Sequence, residues 1–347
     1  MPSEMNNPQL NNPQFLVMNA GSSTLKYAYY DANTLACIQQ QKIELTAVSF
    51  EEAVQQILSQ SHDLKAVGHR IVHGGRELTQ ATLMTPQVFA TLHNFNAWAP
   101  LHQPYNLRVI EVIQQQYQHL PQVAHFDTAF HSHQPELNRL YALPRLLSES
   151  GLIRYGFHGL SYEYIASVLP QYTNLADHKV VVLHLGSGAS ACGLHQRRSI
   201  ASTMGFSALE GLMMATRSGS IDPGLLIYLL QEKGYSLDTL QRLLYKESGL
   251  LGVSGVSGDV RALLSSSHPH AKQAINLFCA SVVRAIGQLV AVLQGLDVLV
   301  FTGGIGENAQ PIREQITAQV SWLNPEVLVI PTNEELVIAQ AMQQVLG

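Results

Sequence analysis

The chain has 347 residues, 46% of them hydrophobic and 13% charged, with a formal net charge of −5. That length exceeds one ordinary core and fits two domains. The acidic balance and the lack of a Lys/Arg-rich run argue against a nucleic-acid binder.

In chain order, MPSEMNNPQLNNPQ has neither the basic nor the apolar region of a signal peptide and reads as a polar, disordered tail over residues 1–14. Phe15–Met18 is a short apolar strand that runs into Asn19-Ala20-Gly21-Ser22-Ser23. The same unit returns at Val180–Leu185 before Gly186-Ser187-Gly188, and at Val298–Phe301 before Thr302-Gly303-Gly304-Ile305-Gly306. Continuous apolar runs of this length predict strands buried on both faces. After the first two loops, Thr24–Tyr30 and Ala189–Ile200 read as strand-turn-strand hairpins. Helices are expected at Glu51–Ser59, Asn106–Leu120, Pro223–Glu232 and Ala271–Leu293. The apolar stretch Ala280–Leu296 is interrupted by Arg284, Gln288 and Gln294. It therefore reads as a buried helix rather than a membrane span, which needs about 20 predominantly apolar residues. Thr332 and Glu335 form an expected capping box for a last helix. Cys37, Cys192 and Cys279 stand far apart, which offers no disulfide framework or Cys-based zinc site and suits a reducing cytoplasm. The repeated strand-and-loop unit predicts a duplicated α/β protein with a cleft between its halves and a boundary near residue 150.

Gly and Ser loops let backbone N–H groups converge on a phosphate, and in α/β sheets ligands gather at strand C-termini. No Gly-x-x-x-x-Gly-Lys-Ser/Thr string is present, so a P-loop is excluded. Gly186-Ser187-Gly188-Ala189-Ser190-Ala191 imitates a dinucleotide fingerprint, but Ala189–Ile200 lacks the helical period that fingerprint demands, which leaves a dehydrogenase as runner-up. Phosphoryl transfer needs positioning, a metal and positive charge on the transferring group. Arg70, within Gly68–Gly75, and Arg217, within Ala215–Pro223, have no i,i+4 acid partner and read as ligand-binding. Asp127 and His158 stand among small and aromatic residues and can point into a cleft. His131 and His133 form an incidental loop pair rather than a zinc site. Glu334 suits a helix N-terminus and equally a hard oxygen site for Mg²⁺.

Together these segments resemble the acetate kinase family, within the superfamily of acetate and sugar kinases and actin. The resemblance rests on Asn19–Lys26, Gly68–Gly75, Ala99–His102, Phe126–His131, Tyr155–Gly159, Leu209–Leu212, Thr216–Pro223, Phe301–Asn308 and Pro331–Glu335, in that order. It implies duplicated ribonuclease H-like (actin-like ATPase) domains with the active site in the cleft between them. The first would span 15–150 and take back the C-terminal helix 335–347; the second would span 151–334. It further implies reversible, in-line transfer of the ATP γ-phosphoryl to acetate in a cytoplasmic homodimer. By resemblance, Asn19 and Glu334 hold Mg²⁺, with Mn²⁺ as a substitute, and Lys26 lies near the phosphates. Arg70 binds the acid's carboxylate; Val72, Leu101, Phe157 and Ala208 form the acyl pocket. Asp127 matches the family's acid/base position, though a carboxylate substrate has no proton to remove, so an orienting role fits better. His158 and Arg217 stabilise the transferring group. His184, Leu185, Gly186, Ser187 and Gly188 cradle ATP phosphates. Asp259, Val260 and Arg261 flank the adenine, and Gly304, Ile305, Gly306, Glu307 and Asn308 complete the nucleotide site.

Three features depart from the family pattern. Ser187 replaces an Asn, Ala208 replaces a Pro beside the acyl pocket, and the segments Asp31–Lys65 and Trp322–Val329 are short. They keep open a propionate or butyrate kinase, or a catalytically impaired nucleotide-binding member.

Overall fold

The computed structural model describes residues 12–21, 24–45, 48–61 and 63–347. Residues 1–11 of the expected tail, and Ser22 and Ser23 of the first loop, lie outside them. The chain divides into two compact units: one runs to Ser132 and takes up Asn333–Gly347, the other is His133–Thr332. The division falls ahead of residue 150.

Among its described residues the first unit has a six-stranded sheet, built from β1 (Gln14–Ala20), β2 (Thr24–Asp31), β3 (Cys37–Glu44), β4 (Leu64–Ile71), β5 (Thr82–Leu83) and β6 (Gln122–Phe126) in the order β3-β2-β1-β4-β6-β5. β1 pairs antiparallel with β2 and parallel with β4, and β4 runs parallel to β6. The tail expected over 1–14 ends earlier, because Gln14 is buried within β1 and its N–H donates to the Asp63 carbonyl at 2.8 Å. Helix α1 (Phe50–Leu58) starts from a capping box of Ser49 and Glu52 and buries Ala53, Val54, Ile57 and Leu58 against the sheet core. Helix α2 (Gln103–Gln116) begins three residues before its expected start, with Pro104 in its first turn. The C-terminal helix, Glu334–Leu346, packs on β1 and β4, where Gly68 leaves room: a Cβ there would meet the Met342 sulfur at 2.4 Å and Ile338 Cγ2 at 2.6 Å.

The second unit repeats the plan. β7 (Lys179–Leu185), β8 (Ala189–His195), β9 (Arg198–Ser202), β10 (Val298–Thr302) and β11 (Glu326–Val329) lie in the order β11-β10-β7-β8-β9. Read from the far edge, β9-β8-β7-β10-β11 matches β3-β2-β1-β4-β6 in both order and strand sense. The shared pattern is the ribonuclease H-like arrangement. The hairpin expected over Ala189–Ile200 is present as β8 and β9, whereas Thr24–Tyr30, expected to turn within itself, is one continuous strand, β2, because its run of β-formers has no turn residue before Asp31. The short Trp322–Val329 segment retains a strand, β11, parallel to β10.

Three helices of this unit bear on function: α3 (Gly159–Val168), α4 (Pro223–Gln231) and α5 (Pro269–Leu293). α5 is long and apolar enough by length and composition to cross a membrane. One face of it, including Ala271, Phe278, Val282, Ile286 and Leu293, packs on β8, β9 and neighbouring helices. Apolar residues at helical spacing on a sheet are what a core helix requires. Leu277 and Val292 stay exposed, so the helix is buried on one side rather than all round.

Candidate active site

In the first unit the ends of β1, β4 and β6 and the start of the C-terminal helix place four of the expected side chains together. Arg70 donates from Nε to Asp127 Oδ1 at 3.0 Å and from Nη2 to Asp127 Oδ2 at 2.6 Å, a bidentate pair. Its Nη1 donates to Asn19 Oδ1 at 3.2 Å, and Glu334 Oε2 lies 3.9 Å from Nε. Asp127 is 2% exposed at its side chain and Arg70 20%. Burial opposes the guanidinium charge, but Asp127 and Glu334 outweigh it and hold the Arg70 pKa above its ordinary value. Glu335 is raised by burial and then by the neighbouring Glu334 charge. Lys26 faces Asn19 across the β1–β2 ladder and acts electrostatically on Glu335.

Three carboxylates around one arginine leave surplus negative charge, and the Asn19 amide oxygen adds a hard donor. Mg²⁺ needs only one or two protein oxygens beside water and phosphate, so Asn19 and Glu334 fit that ion. Among the described residues no cluster of three or more His, Cys, Asp or Glu side chains offers a metal site; His131, read from the sequence as loop, ends a buried 3₁₀ turn. Val72 is buried and Leu101 half-buried in this unit, whereas Phe157 and Ala208 belong to the second.

Two side chains on α2 that the sequence did not single out build this corner. Asn106 accepts the Val72 N–H at 3.1 Å and donates to the Ala20 carbonyl at 2.7 Å, tying the end of β1 to the segment after β4. Gln103 accepts the His73 N–H at 3.0 Å and donates back to the His73 carbonyl at 3.1 Å. Their signal was an Asn and a Gln on an otherwise core-facing helix face, where buried amides must find partners.

In the second unit the ends of β7 and β10 and the start of α3 meet. A Cβ on Gly188 would lie 3.3 Å from His158 Nε2 and 3.9 Å from Arg217 Nη1, so these three expected residues surround one spot. Arg217 Nη1 also donates to the Ala208 carbonyl at 3.0 Å. His158 has a left-handed backbone, φ 57° and ψ 25°, a strained state for a non-glycine residue. Its ring stacks on His184 with centroids 4.3 Å apart. His158 Nδ1 meets Ser190 Oγ and His184 Nδ1 meets Ser161 Oγ, both at 2.8 Å. Tyr162 Oη lies 2.5 Å from Ser190 Oγ.

Gly186 N–H donates to the Gly188 carbonyl at 2.9 Å, and the Ser187 carbonyl accepts from Ala215 N–H at 3.1 Å, with the Ser187 side chain exposed. Leu185 points into the core, so only its backbone belongs to the loop. After β10, helix α6 (Gly303–Asn308) begins at once, which the sequence read as loop. Gly303 sits at φ +77°, and a Cβ there would meet the Leu185 carbonyl oxygen at 2.8 Å; only glycine lets the chain turn here. Gly304 is exposed, Ile305 partly accessible and Gly306 buried. Glu307 accepts the Gly303 N–H at 2.9 Å and the Thr332 N–H at 3.2 Å, while Asn308 donates to the Gly304 carbonyl at 2.9 Å. Both side chains thus shape the loop. Asp259 caps helix Val260–Ser265 through the Arg261 N–H and pairs with the Arg261 guanidinium at 2.7 Å, which holds its carboxyl at about 2. Val260 is buried and its neighbours exposed.

A ribonuclease H-like plan built twice, phosphate-type loops at its strand ends and arginines beside them define an ATP-dependent phosphotransferase of the actin-like ATPase fold. The acetokinase family model matches residues 34–326. An acetate kinase of Rhodopseudomonas palustris is 44% identical, over 94% of this chain and 96% of that protein. The crystal structure of Porphyromonas gingivalis acetate kinase matches with TM-score 0.88 and 30% identity, covering 97% of this chain and 100% of the other. That of a propionate kinase from Francisella tularensis matches with TM-score 0.88 and 32% identity, over 95% and 98%. The chain belongs to the acetokinase family.

Proposed function

We propose that this chain is an acetate kinase. A carboxylate oxygen of acetate attacks the γ-phosphorus of ATP in line; the bond to the β,γ-bridging oxygen breaks, giving acetyl phosphate and ADP. The reverse uses the same groups. The observation that carries this reading is the meeting of Gly188, His158 Nε2 and Arg217 Nη1 at one spot, since donors placed around equatorial phosphoryl oxygens are what such a transfer requires.

Arg70 keeps two of its five N–H groups beyond those given to Asp127 and Asn19, enough to take the acid's carboxylate. Asp127 orients that guanidinium rather than moving a proton. Mg²⁺ held by Asn19 and Glu334 supplies neutralisation of the phosphate charge, and the β7 and β10 loops take the nucleotide. Ser187 is exposed, and the loop's backbone bonds do not involve its side chain, so the departure from Asn is compatible with an active enzyme. The test is hydroxylamine trapping: hydroxamate that depends on both MgATP and acetate is expected, and none with acetate, propionate or butyrate would overturn the reading.

Propionate is the second reading. The likeness to a propionate kinase and the small side chain of Ala208 favour it, and one methylene in such a pocket is worth about 1–3 kcal/mol. Comparing kcat/KM across chain lengths decides between them. We also propose a cytoplasmic homodimer. Cys37, Cys192 and Cys279 are all unpaired, which suits a reducing compartment. Helix α4 is apolar yet buries none of its residues, with Leu225, Ile227 and Tyr228 exposed, a surface suited to a second copy.

A further inference from the structure

Behind the stacked imidazoles of the second unit stands a short row of hydroxyl groups to which the reaction itself gives no part. Tyr162 and Ser190 are fully enclosed. The phenol is the more acidic of the two hydroxyls, so Tyr162 Oη donates its single proton to Ser190 Oγ, 2.5 Å away. Ser190 Oγ, accepting from the phenol, turns its own proton to His158 Nδ1 at 2.8 Å. A neutral imidazole that accepts at Nδ1 carries its hydrogen on Nε2. Nε2 is the atom beside Gly188 and near Arg217.

We propose that Tyr162 and Ser190 are positioning residues, whose ordered chain of hydrogen bonds holds His158 in the tautomer with hydrogen on Nε2, aimed as a donor at the transferring phosphoryl group. The inference rests on the reading of His158 given under the proposed function. The alternative tautomer would present a lone pair to phosphate oxygens, which repel it. Burial keeps the Tyr162 hydroxyl well above its ordinary pKa, so the first proton of the chain stays in place. Charged or titratable groups near the His158 ring within this unit include His184, stacked on it, and Arg217. The left-handed backbone at His158 is a second, independent sign: a strained main chain aims the ring, and the Ser190 bond fixes its rotation.

The test uses the full chain with ¹⁵N-labelled histidine, His158 being assigned by loss of its signals in His158→Gln. Long-range ¹H–¹⁵N spectra at about pH 8, above the ordinary histidine pKa, are expected to show His158 as the Nε2–H tautomer. Ser190→Ala and Tyr162→Phe should mix the tautomers and lower kcat about 10–100-fold, with KM for acid and ATP within about twofold. Ser190→Thr, which keeps the hydroxyl, should restore kcat. An Nδ1–H tautomer in the wild type, or an unchanged tautomer and kcat in Ser190→Ala, overturns the proposal. If His158→Gln lowers kcat while Ser190→Ala does not, the positioning role falls and the reading of His158 stands. If His158→Gln leaves kcat intact, that reading falls, and with it any role in aiming at phosphate.

Discussion

Arg217 and Arg70 are both arginines beside the chemistry, yet their surroundings give them different work. Arg217 donates to the Ala208 carbonyl, a neutral partner, and the role proposed for it is to meet a developing negative charge. Arg217→Ala is expected to lower kcat about 10²–10³-fold with a modest effect on KM, the pattern of a group acting in the transition state. Hydroxamate kinetics check this, and a kcat near wild type would discard the role. Arg70 instead is locked to Asp127. Asp127→Ala should destabilise the fold by up to about 3–5 kcal/mol, because it strands a largely buried cation, less whatever solvent reaches the partly exposed arginine. Asp127→Asn should raise the acid's KM without removing a limb from the pH–kcat profile. Loss of a limb would instead make Asp127 a proton carrier.

At the scale of elements, legibility followed the visibility of apolar runs. β1, β7 and β10 could be read because nearly every residue in them is apolar. β4 and β6 could not: His69 and Gln122 lie within them, buried and bonded to each other at 2.8 Å, and a buried polar pair looks like a surface in sequence. The last helix is capped by Asn333, which accepts the Leu336 N–H, one residue after the expected Thr332; Thr and Asn cap by the same chemistry, so spacing alone does not choose. Of the candidate site, the Gly loops and lone charges were legible, since scarcity marks them. Asn106, Gln103, Ser161, Tyr162 and Ser190 were not, because their meaning lies in partners distant along the chain. The close packing at Gly68 gives an element-scale prediction. Gly68→Ala should cost about 1–3 kcal/mol by overpacking against Met342, and Met342→Ala should recover part of it in a double-mutant cycle read by urea titration. Simple additivity would refute the contact. For α4, Ile227→Glu should give a monomer by sedimentation, and an unchanged mass would remove this helix from the dimer surface.

For the whole molecule, acid sensitivity follows from two enclosed imidazoles in the first unit. Burial lowers His69 to about 4 and His73 to about 3. Both folded values lie below the ordinary 6.5, so the unfolded chain takes up protons first. Their contribution to stability is full above that value and is lost progressively as pH falls toward 4 and 3. The urea midpoint should therefore drop across that window, and His69→Gln should flatten the drop. A midpoint with the same pH slope in His69→Gln would remove His69 from the account.

The return of the C-terminal helix to the first unit has a consequence for biosynthesis. Asn19 and Glu334 are 315 positions apart in the chain, so at a translation rate of about 5–20 residues per second one leaves the ribosome roughly 15–60 s before the other. Throughout that interval the first unit lacks the helix that covers Gly68, and its apolar sheet face is open to chaperones. The second unit, His133–Thr332, is synthesised in full before that helix begins. In this protein the half of the chain made first is the half completed last.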